Sequence, residues 1–245
     1  MEITYLYHSG FLAETKDCYY LFDYYRGELP CLNPEKPILV FVSHFHGDHY
    51  NPAVFQQLKE RGMKSIAGIL ANDIKKKKYP EGFPPLEAEN DQNPNLQGCE
   101  DMDALKGHIL KACHSREYIL PFQTRIRTLL STDSGVAYLL SCPEGTFFHA
   151  GDLNDWLEEE MTEAERRQMT GSYRAALRPL TGLSLDAACL PLDPHLGSHY
   201  ADGMLYFLKT VNVKQVWPMH FWDRPEIIDQ FIREHPEYAA VLRRP

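Results

Sequence analysis

The stretch that decides the fold is Ser43-His44-Phe45-His46-Gly47-Asp48-His49. It directly follows the apolar run Ile38-Leu39-Val40-Phe41-Val42, which predicts a buried β-strand. Three imidazoles and one carboxylate therefore lie within six positions at a strand end. Ligands of these types at this density favour a pair of divalent metal ions. Gly47 permits the tight turn that lets several of these side chains converge.

The segment from His44 to His49 resembles the HxHxDH signature of the metallo-β-lactamase superfamily. The resemblance implies an αβ/βα four-layer sandwich, in which two β-sheets face each other and helices cover the outside. The residue pattern alone gives only a mixed α/β class, because strand-like and helix-like segments alternate along the chain. Residues 1–245 are expected to form a single domain of this type.

Pattern and capping signals predict individual elements. Strands are expected over most of the first fifty residues, and a helix is expected from Ala53 to Arg61. Thr162 and Glu165 form a capping-box pattern, which predicts a helix that runs to about Leu177. Residues 80–103 are rich in Pro, Asn, Asp and Glu and are expected to form a loop-rich insertion.

Composition excludes several classes of protein. The formal net charge of −9 argues against a broad nucleic-acid-binding surface, and the basic block Lys75-Lys76-Lys77-Lys78 is expected to be a solvated turn. Six cysteines without a CxxC pair indicate reduced thiols. The sequence lacks a signal-peptide pattern and an apolar stretch of the ~20 residues that a membrane helix needs. We therefore expect a cytoplasmic protein with no membrane partner.

The resemblance also implies the remaining metal ligands. Asp152, in His149-Ala150-Gly151-Asp152, is similar to the motif whose aspartate bridges both ions, and His220 is similar to the last histidine motif. Both follow predicted strands, where α/β folds place their ligands. His149 is expected to point elsewhere. The implied second ion is held by Asp48, His49 and His220, and the implied first ion by His44, His46 and a third ligand.

That third ligand departs from the family pattern. The superfamily normally has a histidine ahead of a Gly-containing strand upstream of the bridging aspartate, but this window holds Ser131-Thr132-Asp133-Ser134-Gly135. Asp133 can supply an oxygen donor instead. His108 and His114, further upstream, stay open as alternatives. Imidazoles suit zinc, which we expect first, whereas the additional carboxylate shifts the preference toward iron or manganese.

Four further residues are expected to support the ligands or to contact substrate. Asp23 ends a predicted strand and resembles the superfamily's first motif, in which an aspartate orients ligand histidines by hydrogen bonds. His8 belongs to a turn similar to one in the lactonase-like branch of the superfamily, at the edge of the active site. Asp193 and His199 lie in a polar loop between Asp152 and His220.

The function implied by the resemblance is metal-dependent hydrolysis of a small ester, lactone or phosphoester. A dinuclear centre lowers the pKa of bound water toward neutrality, and Asp48 or Asp152 would move the proton. An anionic small-molecule substrate is one option, because metals and arginine favour anions. Two alternatives stay open, a nuclease or phosphodiesterase of the tRNA-processing type and a non-catalytic metal-binding protein. The substrate and the oligomeric state are not indicated.

Overall fold

The structure is a computed structural model that describes residues 1–86 and 96–244. The strands in these residues are β1 Glu2–Tyr7, β2 Gly10–Glu14, β3 Tyr19–Phe22, β4 Ile38–Val42, β5 Ile66–Ala71, β6 Leu96–Gly98, β7 Ile109–Ala112, β8 Glu117–Leu120, β9 Thr124–Leu130, β10 Val136–Cys142, β11 Gly145–His149, β12 Ser184–Leu185, β13 Ala187–Pro191, β14 Asn212–Val213 and β15 Val216–Met219. The α-helices are α1 Ala53–Glu60, α2 Met102–Leu105, α3 Glu163–Leu177, α4 Asp202–Thr210 and α5 Glu226–Glu234.

The strands form two large sheets. The first has the order β1-β2-β3-β4-β5-β7 and the second the order β15-β13-β11-β10-β9-β8-β6, while β12 and β14 make a separate short pair. Strands β3, β4, β5 and β7 run parallel, and so do β11, β13 and β15. Parallel strands end at the same edge of a sheet, so the loops that follow them meet there.

The two sheets face each other across an aromatic core. Tyr138 of the second sheet donates its hydroxyl to the carbonyl oxygen of Val42 in the first sheet, at 2.9 Å. The Phe22 ring contacts the rings of Tyr138 and Phe147, with centroids 6.3 and 5.0 Å apart. These contacts bury the faces that the apolar runs of the sequence predict to be inside.

Helices cover the outer faces. Helix α1 buries Val54, Phe55 and Leu58, and Phe55 lies so close to Gly68 of β5 that a Cβ there would come within 3.0 Å of the ring. On the second sheet, Phe207 of α4 stacks on Phe148 of β11 with centroids 5.5 Å apart. The mixed α/β sandwich is therefore confirmed.

The predicted capping box of α3 is present, because Thr162 accepts from the Glu165 N–H and the Glu165 carboxylate accepts from the Thr162 N–H.

The structure describes only part of the expected loop-rich insertion near 80–103, since residues 87–95 lie outside the described residues. Its described end is not all loop: β6 pairs in parallel with β8, and α2 begins at Met102. These elements are too short to show the periodic pattern from which a helix or strand can be predicted.

Across the described ranges, no helix has the length and apolarity to cross a membrane.

Candidate metal centre

The loops that follow the parallel strands converge at one end of the sandwich. Asp23 follows β3, and the segment from Ser43 to His49 follows β4. On the facing sheet, Asp152 follows β11, Asp193 follows β13 and His220 follows β15. The site is therefore assembled from both sheets, and each polar side chain lies in the segment that follows an apolar strand.

Eight side chains in this region form two sets of four. In each set, every residue offers one possible ligand atom, and these atoms lie within 4.8 Å of one another. The first donor group is His44, His46, Asp133 and Asp152. The second donor group is His8, Asp48, His49 and His220.

The Asp152 carboxylate lies between the two groups. Its Oδ2 is 3.3 Å from His44 Nε2 in the first donor group. Its Oδ1 is 3.0 Å from His49 Nε2 and 3.5 Å from His220 Nε2 in the second. The two oxygens of one carboxylate thus face different groups, which is the arrangement that a bridging ligand requires.

Distances within the first donor group suit one cation. His44 Nε2 lies 3.0 Å from His46 Nδ1, which in turn lies 3.6 Å from Asp133 Oδ2. Two ligands bound at about 2.1 Å with angles of about 90–120° are about 3.0–3.6 Å apart. The side chains of His46 and Asp133 are 40% and 43% exposed, so this group is open to solvent.

Asp133 is brought to this group, whereas its two rivals are not. His108 Nδ1 contacts the carbonyl oxygen of Lys106, and exposed His114 contacts the Ser115 hydroxyl. Neither belongs to a donor group among the described residues. The position expected for a third ligand of the first group is therefore occupied by a carboxylate.

Gly135 holds the Asp133 loop against the histidine motif. Its φ is +66°, and a Cβ at this position would lie 1.9 Å from the carbonyl oxygen of Ser43. The same carbonyl accepts a hydrogen bond from Val136 N–H at 2.9 Å. Only glycine combines this backbone conformation with so close an approach.

Buried polar atoms at and beside the second donor group fit a cation. His49 Nε2, His220 Nε2 and Asp152 Oδ1 are inaccessible to solvent, and apart from one another they have no hydrogen-bond partner. Buried polar atoms are nearly always paired, because leaving them unpaired costs free energy. Imidazole nitrogens and a carboxylate oxygen that converge in this way are typical ligands of a divalent transition metal.

Two buried carboxylates orient the imidazoles from behind. Asp23 Oδ2 accepts from His49 Nδ1 at 2.8 Å, and Asp193 Oδ2 accepts from His220 Nδ1 at 2.8 Å. Each bond fixes a proton on Nδ1, so Nε2 is the ring nitrogen that faces the donor group. Asp23 and Asp193 therefore lie where supporting residues are expected, and their role stays a prediction.

Ser43 extends this support to the first donor group. Its N–H and its hydroxyl both donate to the Asp23 carboxylate, at 2.7 and 2.6 Å. Because the hydroxyl proton is used there, the oxygen accepts from His44 Nδ1 at 2.9 Å and leaves His44 Nε2 free to bind. No sequence signal predicted this role of Ser43.

The electrostatics favour positive charge between the groups. Burial would raise the pKa of Asp152, but the imidazoles of His49, His44 and His220 outweigh it and hold the pKa well below its usual value. For His49 burial opposes protonation, yet the carboxylates of Asp152 and Asp23 raise its pKa well above the usual value. A cation bound at His49 Nε2 would replace that proton, so metal binding would release it.

Backbone strain marks the same region. Asp23 and His220 are non-glycine residues with φ of 42° and 64°, and Trp222, two residues later, has a φ of 54°. Such conformations cost about 1–3 kcal/mol each and persist where the surroundings fix them, often at functional sites. Here they turn the chain at strand ends, where the site's side chains lie.

Three further polar residues, His199, His149 and Asp73, lie outside both donor groups. His199 is not brought to either donor group, because it pairs with Asp202 and Arg166. His149 is fully buried and contacts the carbonyl oxygen of Ser9 through Nε2, at 2.8 Å.

Asp73, which sequence analysis missed, has both carboxylate oxygens buried without a hydrogen-bond partner. Burial raises its pKa, while His44 and His46 oppose that shift. It follows β5, so the strand-end rule would have found it.

The surroundings of the two groups differ in charge. A cavity of 540 Å³ beside the second donor group is lined by Trp156, Asp193, His195 and the acidic run 158–160. Beside the first donor group, Lys78 Nζ contacts the carbonyl oxygen of Phe45 at 3.3 Å. The larger groove, of 590 Å³, lies between α3 and β9 and contains none of the donor residues.

Fold and donor groups together define a metal-binding α/β sandwich, and the chain belongs to the metallo-β-lactamase superfamily, as predicted. The family model described as "Beta-lactamase superfamily domain" matches residues 2–168, more than half of the chain. A UPF0173 metal-dependent hydrolase of Methanopyrus kandleri is 29% identical over 156 residues, which cover 62% of this chain and 62% of that protein. The match thus spans about three fifths of the relative's length. Membership of the lactonase-like branch stays a prediction.

Solved structures support the same fold. Igni18, a metallo hydrolase from Ignicoccus hospitalis, aligns over 98% of this chain and 93% of its own length, with 14% identity and a TM-score of 0.56. CmlA, a diiron β-hydroxylase from Streptomyces venezuelae, aligns over 99% of this chain and 52% of its own length, with 11% identity and a TM-score of 0.51. At these identities the similarity concerns the fold alone.

Proposed function

We propose that this protein is a metal-dependent hydrolase that holds one divalent cation in each donor group and acts on a small ester, lactone or phosphoester. The observation that carries the proposal is the Asp152 carboxylate, whose Oδ2 faces His44 while Oδ1 faces His49 and His220. Unpaired buried nitrogens on the same side of the site add support. The name of the Methanopyrus relative, a metal-dependent hydrolase, points the same way.

In this proposal the first cation is bound by His44, His46 and Asp133, and the second by Asp48, His49 and His220, with Asp152 shared. When bound, such cations supply a water activated near neutral pH and polarise a carbonyl or phosphoryl group. The protein's own part is to hold the ligand lone pairs in place through Asp23 and Asp193.

Asp48 is the better placed of the two carboxylates proposed for proton transfer. Its side chain is 28% exposed, whereas that of Asp152 is 8% exposed and lies among three imidazoles. A side chain that is partly open to solvent can exchange a proton with substrate and return it to water. Asp152 is better suited to a fixed position between the cations.

Zinc is the first candidate for both cations because four of the seven proposed ligands, His44, His46, His49 and His220, are imidazoles. Iron and manganese are alternatives, since Asp133 adds an oxygen ligand to the first group. CmlA, which has the same fold, is a diiron enzyme by name. We also propose that the protein works in the cytoplasm, which its free cysteines favour.

Charges around the site favour a small substrate over a nucleic acid. The acidic cavity beside the second donor group would repel a long polyanion such as tRNA. Lys78, beside the first donor group, can accommodate one anionic group. A small substrate with a single negative group is compatible with both sides. The nuclease alternative therefore has less support than hydrolysis of a small molecule.

The test uses purified protein stripped by a chelator and reloaded separately with zinc, manganese or ferrous iron. Metal analysis should find two ions per chain, and hydrolysis of bis(p-nitrophenyl) phosphate or of a lactone panel should depend on reloading. The ratio of the two activities ranks phosphoester against acyl chemistry. Two bound ions without turnover of any substrate would favour a non-catalytic metal protein. A folded preparation that takes up no cation would refute the proposal.

A further inference from the structure

His8 occupies an unusual position in the turn between β1 and β2. Its side chain is fully buried, and its φ is +54°, in the left-handed region that residues other than glycine uncommonly adopt. The His8 N–H donates to the Tyr5 hydroxyl at 2.8 Å, and its carbonyl oxygen accepts from the His220 N–H at 3.4 Å. These bonds hold the strained turn and tie it to the strand end that carries His220.

Both ring nitrogens of His8 are inaccessible to solvent, and neither has a hydrogen-bond partner. An imidazole always carries at least one N–H, so this burial leaves a donor and an acceptor unpaired. A histidine with a purely structural role would be expected to have at least one of them bonded, as His149 does to Ser9. The arrangement is explained if a ligand that is not a protein group occupies the space in front of the ring.

The position of the ring indicates what that ligand is. His8 Nε2 lies 3.5 Å from Asp48 Oδ2, and the same oxygen lies 3.9 Å from His49 Nε2. The His8 ring is 4.2 Å from the His220 ring, measured between centroids. Ligands that share a cation at about 2.1 Å are separated by about 3.0–4.2 Å, depending on whether they are adjacent or opposite.

We propose that His8 is an additional ligand of the cation in the second donor group, an inference that rests on the proposed function. This cation then has three imidazoles, from His8, His49 and His220, and the carboxylates of Asp48 and Asp152. Five side-chain donors leave at most one position of a six-coordinate ion for another ligand. Exchangeable positions therefore belong mainly to the first donor group, which has four donors and is exposed.

The test measures metal binding rather than turnover. Chelator-stripped wild type, His8→Ala and His8→Gln are titrated with zinc and with cobalt(II) in equilibrium dialysis, and the bound metal is counted. We expect wild type to bind two equivalents, and both variants to keep one and to bind the other about 10–100-fold more weakly. The visible absorption of the affected cobalt equivalent should change, because its coordination number falls.

His114→Ala is the matched control. It also removes one imidazole, but His114 is exposed and lies outside both donor groups. Its affinities and cobalt spectrum should equal those of wild type. If His8→Ala and His8→Gln also match wild type while two equivalents bind, the inference about His8 is wrong and the proposed function stands. If wild type itself binds fewer than two equivalents, both fail.

A measurement on wild type covers the case in which the His8 variants do not fold. Long-range ¹H–¹⁵N spectra of the imidazoles are recorded as zinc is added to the stripped protein. The ligand nitrogen of His8 should shift with the same equivalent of zinc that moves His49 and His220. A His8 ring whose nitrogens stay unshifted at two equivalents would overturn the proposal.

Discussion

The two donor groups lie side by side and share Asp152, yet they are built differently. In the second, the side chains of His8 and His49 are fully buried and that of His220 is 9% exposed, and carboxylates hold His49 and His220 from behind. In the first, His46 and Asp133 are about two fifths exposed. The difference indicates a preorganised, imidazole-rich second group and an open, more oxygen-rich first group.

This asymmetry has a chemical consequence. A preorganised pocket loses little conformational entropy when it binds an ion, so the second donor group should bind the tighter cation. The first donor group should bind more weakly, exchange faster and accept substrate or water. Stepwise binding of two equivalents with different affinities is therefore expected.

Asp152→Ala should have the largest effect because it acts on both groups. Neither group should then retain a tight cation, and hydrolysis should fall by at least about a thousandfold, which corresponds to ~4 kcal/mol. Metal content and turnover measure the two outcomes. Asp155→Asn is the control, since Asp155 is a nearby buried acid that bonds Thr170 and lies outside both groups. Full metal content in Asp152→Ala would contradict the bridging role.

Asp133→Ala should affect the first donor group alone. The weaker equivalent should lose about a hundredfold in affinity, ~2.7 kcal/mol, while the tighter one is unchanged. Asp133→His is the informative partner variant. It should restore binding and shift the preference from manganese toward zinc, because it replaces an oxygen donor by an imidazole. Titration with each metal checks both variants, and loss of the tighter equivalent would show that the groups are assigned in the wrong order.

Much of this site follows from strand ends that can be read in the sequence. The apolar run before Ser43 predicts β4, and the run before His149 predicts β11, so polar residues just after them are expected at one edge. The same reasoning predicts that Asp193 and His220, which follow two further strands, lie at this edge. It fails for residues whose role depends on the other sheet, because facing contacts have no local pattern. Thus His8 was expected only at the edge of the site. Ser43 was given no role for a different reason, because its bond to Asp23 joins the ends of two neighbouring strands that lie 20 residues apart in sequence.

The choice of Asp133 over His108 and His114 also depended on the structure. Sequence spacing left the alternatives open, since a chain can reach the same point by several hairpin routes. The close approach of Gly135 to Ser43 favours Asp133, because it holds the Asp133 loop beside the histidine motif; that Asp133 binds a cation stays a prediction. Likewise, β6 and β8 are short and irregular in sequence, and only their pairing makes them strands. Their conformation is set by tertiary contacts rather than by local preference.

Gly135→Ala should damage the first donor group through the backbone. The new Cβ would overlap the Ser43 carbonyl oxygen, and the φ of +66° disfavours alanine. Gly107→Ala is a matched control, because Gly107 has a φ of +76° with nothing within 4 Å of its added Cβ. Both variants carry the conformational cost, but Gly135→Ala should lose about 2 kcal/mol more stability and should weaken the weaker cation. Chemical denaturation and metal titration check this, and equal stability losses would mean that the loop adjusts freely.

Asp193→Asn should produce the smallest change, and only in the second donor group. The amide keeps the shape of the side chain but orients His220 less strongly, because the bond to Nδ1 loses its charged acceptor. We expect the tighter cation to bind about tenfold more weakly, ~1.4 kcal/mol, at the lower end of the effects seen for residues that orient ligands. His195→Ala is the control, since this imidazole bonds the other Asp193 oxygen and is 65% exposed. If Asp193→Asn instead weakened the weaker equivalent, the tight site would not be the preorganised one, and the contrast between the two groups would have to be reversed.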